Sequence, residues 1–176
     1  MHDEVDSIPS IGTPPEGELQ HHSSFIYLRY FHGPRFQSHG GVLRGIEGGV
    51  DGIALMRHQL PATDQFALES EGEEVLLDAL PMLIEAGFQN AGLAAMESDG
   101  FSSLPIGIEW STMLRVPEAE ERLRVRSVKV ASEDAGVTVH DVVVVGDDDA
   151  PVLSLKGLRL KAMGEVPDDQ RFSLPR

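Results

Sequence analysis

The 176-residue chain has no cysteine and few positive charges: 14 Lys and Arg residues stand against 29 Asp and Glu, which gives a net charge of −15. The missing cysteines exclude a disulfide scaffold and a thiolate zinc site. Nucleic-acid binding needs clustered Lys and Arg for the phosphates, and the acidic balance argues against it. No apolar run approaches the ~18 residues that a membrane span requires. We therefore expect neither nucleic acid nor membrane as a partner.

The chain does have enough apolar residues for a core. Hydrophobic residues make up 41% of it, and a domain of this length buries roughly 70% of its unfolded surface. Residues 1–22 are acidic and rich in Ser, Pro and Gly, which predicts a disordered leader. We predict a folded domain over residues 23–164 and a flexible tail over residues 165–176. The first residues lack the basic and then apolar segments of a signal peptide, which favours a cytoplasmic protein.

The folded part is predicted to contain several strands and one helix. Aromatic and β-branched residues predict a short strand over residues 25–30. Two further runs flank Gly48 and Gly49, a dipeptide typical of a hairpin. The remaining β-rich segments cover residues 104–116, 123–131, 137–145 and 152–163. The links between the last three are short, which favours antiparallel neighbours.

Residues 73–97 are the exception, because their Leu, Met and Ala content predicts a helix. Proline is tolerated in the first turn of a helix but not in its interior, so we expect the main helix to begin near Pro81 and to end near Glu97. Between Pro81 and Met96 the only charged residue is Glu85, which predicts a helix that is buried nearly all round. One buried helix among about six strands favours an α+β fold, in which an antiparallel sheet encloses the helix.

Glu85 is the candidate for chemistry on this helix. Helical spacing places Gln89, Gly92 and Met96 on the same side of the helix as Glu85, so the acid and the amide are neighbours. Gly92, which has no side chain, leaves open space next to them on this face. An apolar setting favours the neutral form of a carboxylic acid, which can act as a general acid. The alternative is that Glu85 lies at a partly wet surface and complements the helix dipole. The pattern leaves both interpretations open.

Two motifs carry a resemblance to a known family. The sequence PMLIEAGFQ, residues 81–89, resembles the His-Pro-x-x-Leu-Asp-x-x-x-Gln/His segment in the second half of dehydratase domains from polyketide synthases and polyunsaturated fatty acid synthases. The sequence FHGPRFQ, residues 31–37, is similar to the Tyr-Gly-Pro-x-Phe-Gln motif that opens the same half. Residues 104–109 and 152–159 resemble its later strands. The resemblance covers residues 25–163 and implies a single hotdog fold, a long central helix wrapped by an antiparallel sheet.

The resemblance also implies an activity and a set of site residues. Glu85 would replace the family's Asp as the acid that helps the 3-hydroxyl of a 3-hydroxyacyl thioester leave as water, and Gln89 would orient it. The substrate would be presented on the phosphopantetheine of an acyl carrier protein, with no other cofactor and no metal. The residues expected to bind substrate are Gly33, Pro34, Phe36, Gln37 and Gly92.

Dehydration also needs a base, and the family's base motif is missing. The family supplies a His from a His-x-x-x-Gly-x-x-x-x-Pro motif in the first hotdog, but none of the seven histidines here has Gly four residues later. We therefore expect the catalytic His to come from a second hotdog subunit or domain. His32 and His39 are the best local candidates, although two histidines in a Gly-rich loop are more often solvent-exposed. Asp78 ranks below Glu85 as the acid because it lacks the flanking Pro and Gln.

Two other functions remain open. The chain could be a hotdog acyl thioesterase in which Glu85 activates water, or a catalytically silent hotdog that binds an acyl chain or a partner. A basic stripe on one predicted strand, formed by Arg122, Arg124, Arg126 and Lys129, could contact an acidic carrier protein. More often such a stripe is simply a solvated face of the sheet.

Overall fold

The computed structural model describes residues 19–56, 74–118, 121–133, 136–167, 170–171 and 173–174, without the side chains of positions 35 and 74–79. His2, His58 and the side chain of Asp78 lie outside this part. The described elements, in chain order, are β1 (His21–His22), α1 (Ser23–Tyr27), a 3₁₀ turn (Pro34–Phe36), β2 (His39–Ile46), β3 (Gly49–Ala54), α2 (Glu74–Asp99), β4 (Phe101–Gly107), β5 (Trp110–Met113), β6 (Leu123–Glu133), β7 (Val137–Val145) and β8 (Pro151–Glu165).

The described strands form one antiparallel sheet in the order β1-β2-β3-β6-β7-β8-β4, and β5 also pairs with β8. The sheet curls around α2, which packs against β3, β4, β6, β7 and β8. The predicted hairpin is confirmed, because β2 and β3 join through a turn at Glu47 and Gly48, where Gly48 has a φ of +69°. A central helix enclosed by an antiparallel sheet is the architecture that the sequence predicts.

The core lies between α2 and the sheet. Leu83, Ala86 and Ala91 of the helix pack with buried Leu and Val side chains of β6, β7 and β8. At Gly87 a side-chain Cβ would lie 2.9 Å from Leu155 Cδ1. Glycine at this position therefore lets α2 lie close to β8.

The main helix begins seven residues earlier than predicted, at Glu74, and Pro81 lies in its interior. Proline cannot donate a backbone hydrogen bond there and costs roughly 3 kcal/mol. Five of the seven helical residues before it are nevertheless Glu, Leu or Ala, which are strong helix formers, and they extend the helix on the N-terminal side of the proline. From residue 82 to residue 96 every helical residue is buried or half-buried, as predicted.

The strand predicted over residues 25–30 is wrong. The structure has the helix α1 followed by a turn, in which the amide of Leu28 donates to Ser24 and the amide of Tyr30 donates to Ile26. Ile26 is fully buried in a small cluster with Val42, Val50, Leu93 and Leu174. Ile26, Tyr27 and Tyr30 therefore pack against α2 and β2, an interaction that local β propensity does not capture.

Residues at both predicted domain boundaries belong to the fold. His21 and His22 pair with β2, although residues 1–22 are predicted to form a leader. In the predicted tail, Val166 and Leu174 are buried, and the amide of Val166 donates to Gly100. Among the described residues, no helix combines the length and hydropathy that crossing a membrane requires.

Candidate active site

A cavity of about 480 Å³ opens between the segment that follows α1, the middle of α2 and the edge strand β4. Its walls are mainly apolar, with a small number of polar side chains, which is the usual composition of a small-molecule site. The residues that line it are Arg29, Tyr30, Phe31, His32, Glu85, Phe88, Gln89, Met96, Ser102, Ser103, Leu104, Pro105 and Met163. In the described part of the chain, no group of three His, Asp or Glu side chains could hold a metal ion.

Glu85 and Gln89 lie together on this wall, as their helical spacing predicts. Gln89 Nε2 donates to Glu85 Oε1 over 2.9 Å. The Glu85 side chain is 20% exposed, whereas Gln89 is 2% exposed. The carboxylate therefore reaches the cavity while the amide that holds it stays inside the protein.

The two tyrosines of the chain fix the orientation of Gln89. Tyr27 Oη donates to Gln89 Oε1 over 2.6 Å, and Tyr30 Oη donates to the backbone carbonyl of Gln89 over 2.9 Å. Burial raises the pKa of both phenols, so both hydroxyls remain donors. Tyr27 Oη in turn accepts from the amide of His39. Because Gln89 Oε1 is committed to Tyr27, its amide nitrogen must point toward Glu85.

His32 and Glu85 contact each other at the wall of the cavity. His32 Nε2 lies 2.8 Å from Glu85 Oε1, and the two side chains are 19% and 20% exposed. The histidine ring stacks on Phe31 at 5.0 Å and meets the edge of Tyr30 at 5.4 Å. The expectation of a solvent-exposed loop histidine is therefore wrong for His32, because aromatic neighbours hold the ring against the helix.

His39 is fully buried and is not part of the cavity wall. The amide of Gly41 donates to His39 Nδ1, so Nε2 carries the proton and donates to Asn90 Oδ1 over 2.9 Å. Burial lowers the pKa of His39 to about 4. Asn90 also donates to Val50 and Ser127. His39 is thus a neutral core residue that joins β2 to α2.

The predicted substrate-binding residues of the Gly-Pro motif do not line the cavity. Gly33 precedes the 3₁₀ turn, and Pro34 begins it. Gln37 Nε2 donates to the carbonyl of His32 over 3.2 Å, and the carbonyl of Phe36 accepts from Gln89 Nε2. Phe36 and Gln37 therefore position Gln89 and His32 instead of lining the cavity themselves.

Tyr30 covers Gly92, so the space beside this glycine is not open to substrate. A Cβ at this position would lie 2.5 Å from Tyr30 Oη. We expect Gly92→Ala to destabilise the fold by about 1–3 kcal/mol through this overlap. In a Tyr30→Phe background the same change should cost less, because the hydroxyl is gone. Urea unfolding of the two single variants and the double variant measures this coupling, and strictly additive losses would contradict the proposed contact.

Sequence reasoning missed the two tyrosines and gave His32 too little weight. The sequence did offer one indication of their role. The chain has only two tyrosines, and they lie three residues apart, shortly before Gly33 and Pro34. A spacing of three places side chains on one face of a helical turn. The contacts themselves join positions 27 and 30 to position 89, a separation that no local pattern specifies.

Residues 22–170 match the family model described as the polyketide synthase dehydratase N-terminal domain. The match spans most of the chain, and the chain therefore belongs to the polyketide synthase dehydratase family. The sequence motifs resemble the second half of such domains, whereas the matching model is described as N-terminal, so the assignment to the second half stays a prediction. No curated protein matches the chain in sequence.

Several solved structures are similar to this fold. The dehydratase domain of PpsC from Mycobacterium tuberculosis, solved with C12:1-CoA, has a TM-score of 0.58 at 16% identity, over 86% of this chain and 55% of that one. A trans-AT polyketide synthase dehydratase domain from Brevibacillus brevis has a TM-score of 0.59 at 17% identity, over 82% and 48%. A hypothetical thioesterase of Streptococcus pneumoniae, solved with coenzyme A, has a TM-score of 0.56 at 12% identity, over 82% and 97%.

These likenesses confirm the predicted hotdog fold. The chain spans about half the length of the dehydratase domains that it matches, but nearly all of the thioesterase.

Proposed function

We propose that the chain acts in the elimination of water from 3-hydroxyacyl thioesters, with Glu85 as the acid and Gln89 as the residue that orients it. One observation carries the proposal: in a member of the dehydratase family, a carboxyl group held by a buried amide faces an apolar cavity. Loss of the 3-hydroxyl requires a proton on the leaving oxygen, and a positioned carboxylic acid delivers such a proton. No resident cofactor takes part in this chemistry.

The cavity has the character of an acyl-chain site. Phe31, Phe88 and Met96 supply apolar wall, and Ser102 and Ser103 of β4 also line the cavity, where Ser102 Oγ donates to the carbonyl of Gly164. Its volume of about 480 Å³ lies within the usual range for small-molecule sites. An acyl thioester would place its chain on the apolar wall and its reacting carbons beside Glu85.

We propose an acyl carrier protein as the partner that presents the substrate, and a second hotdog as the neighbour at the edge of the sheet. β4 pairs only with β8 among the described strands, and it exposes Phe101, Leu104 and Ile106. An exposed apolar edge strand is a natural docking surface. The match to only half of the dehydratase domains supports an occupant of the same size and fold.

Hydrolysis of an acyl thioester is the second candidate. It is supported by the similarity to a hypothetical thioesterase along nearly its whole length. The same carboxylate would then act as a base toward water. A silent acyl-binding module is the third candidate, and it predicts binding without turnover.

The three functions differ in their products. We expect the full chain, supplied with 3-hydroxybutyryl-N-acetylcysteamine thioester, to form the conjugated enoyl thioester without releasing free thiol. Chromatography detects the enoyl product, and a thiol reagent detects hydrolysis. The measurement is made with the chain alone and with a dehydratase half that carries the His motif. Free thiol would favour the thioesterase, and absence of both products in both settings would favour the binding module.

A further inference from the structure

We infer that His32 is the general base of this site, so that one hotdog carries both the acid and the base. The inference rests on the proposed dehydration and replaces the expectation that the base comes from a second hotdog. Its foundation is the 2.8 Å contact between His32 Nε2 and Glu85 Oε1 at the cavity wall. His and carboxylate groups are the side chains most used for proton transfer in enzymes.

His32 is held in place from several sides. Phe31 stacks on the ring with an angle of 11° between the planes, and Tyr30 meets it edge-on. Gln37 fixes the backbone carbonyl of His32. A base must be positioned before its proton affinity matters, and these contacts position the ring with Nε2 toward Glu85.

The other histidines in the described part of the chain do not fit this role. His39 is buried with both ring nitrogens in hydrogen bonds. His140 is buried on β7, where its Nε2 contacts Thr138. His21 and His22 lie at the start of the fold, and neither lines the cavity. His32 is therefore the one histidine among the described residues that reaches the acyl site.

Only one of the two ring nitrogens of His32, Nε2, contacts a side chain of the described residues that can accept or donate a proton. Its Nδ1 is buried without a hydrogen-bond partner among the described residues, whereas Nε2 faces Glu85. A proton taken up at Nε2 therefore has a direct route to the carboxylate. This arrangement allows the pair to reset itself after each turnover.

The elimination balances with these two groups alone. The reaction begins with the proton on Glu85 and a lone pair on His32 Nε2. The lone pair takes the α-hydrogen of the thioester as a proton, the C–H electrons form the Cα=Cβ bond, and the C–O bond breaks. Glu85 gives its proton to the departing hydroxyl, which leaves as water. The proton on Nε2 then passes to Glu85 Oε1, and the starting state is restored.

The test compares His32→Asn with His22→Asn, a matched change at an exposed histidine outside the cavity. With 3-hydroxybutyryl-N-acetylcysteamine thioester and the full chain alone, His32→Asn should lose about 100-fold or more of kcat, while His22→Asn stays within about twofold of wild type. Added imidazole should restore part of the lost rate only in His32→Asn. A thermal melt of both variants monitors folding.

Each outcome decides the inference. Imidazole rescue supports His32 as the base, because a purely structural defect does not respond to imidazole. Dehydration that persists in a folded His32→Asn variant overturns the inference and leaves the proposed function intact. Turnover that needs a second protein with the family's His motif also overturns it. No dehydration by the wild-type chain in any setting overturns the proposed function, and the assignment of His32 falls with it.

Discussion

Glu85→Gln is expected to lower kcat for dehydration by roughly 10²–10⁴-fold, the range that general acids contribute. The amide keeps the size of the side chain and its place beside Gln89, but it has no proton to give to the leaving hydroxyl. KM should change little, since the lost interaction exists mainly in the transition state. Steady-state kinetics with the 3-hydroxybutyryl thioester, at enzyme concentrations high enough to follow slow turnover, measure both constants.

The matched control is Glu97→Gln on the same helix. Glu97 lies twelve residues further along α2, roughly 18 Å away by helical rise, and it does not line the cavity. It should keep wild-type kinetics. Full activity in Glu85→Gln together with loss in Asp78→Asn would move the acid to Asp78.

If His32 and Glu85 act as one unit, the double variant His32→Asn/Glu85→Gln should be no slower than the slower single variant by more than a few-fold.

The part of the site that could be predicted from sequence is the part that one helix specifies. The spacing of four between Glu85 and Gln89 makes them neighbours because the helical repeat is local and fixed. The pair of His32 with Glu85 spans 53 positions and depends on how the segment after α1 lies against α2. No periodicity encodes that approach. The turn at Pro34–Phe36 is local, but the residues that it contacts are set by the fold.

The basic stripe shows the same limit on a strand. Alternation along β6 places Arg124 and Arg126 on one side, as the period of two requires. The structure then pairs Arg124 with Asp149, Arg126 with Asp51 and Lys129 with Asp99. These acids come from other parts of the fold, so Arg124, Arg126 and Lys129 form internal ion pairs, and for these three residues the interpretation as a solvated face is wrong. The carrier contact stays a prediction. Arg122 is exposed.

Asp51 is the most constrained of these acids. It is 1% exposed and lies on β3 between Arg44 of β2 and Arg126 of β6. Arg44 Nε lies 2.9 Å from Oδ2, and Arg126 donates to both carboxylate oxygens at 2.6 and 2.8 Å. Such two-point pairing satisfies a buried carboxylate well. It also means that the three strands share one charged group at their centre.

Asp51→Ala should therefore destabilise the fold by about 3–5 kcal/mol, because removing the carboxylate leaves the charge of Arg126, whose side chain is only 12% exposed, without its partner. For a chain of this length, a loss of about 3 kcal/mol corresponds to a fall in Tm of roughly 6–12 °C. Urea unfolding monitored by circular dichroism measures the free energy, and an unchanged m-value would show that the loss is in stability.

The exposed pair of Glu133 with Arg159 supplies the comparison, since its side chains are 44% and 40% exposed. Glu133→Ala should cost no more than about 1 kcal/mol, as surface ion pairs do. Equal losses in Asp51→Ala and Glu133→Ala would contradict the buried-pair argument. A large loss confined to Asp51→Ala would show that the strands next to the hotdog helix depend on this charge cluster, and that the sheet supporting the Glu85 helix is held partly by electrostatics.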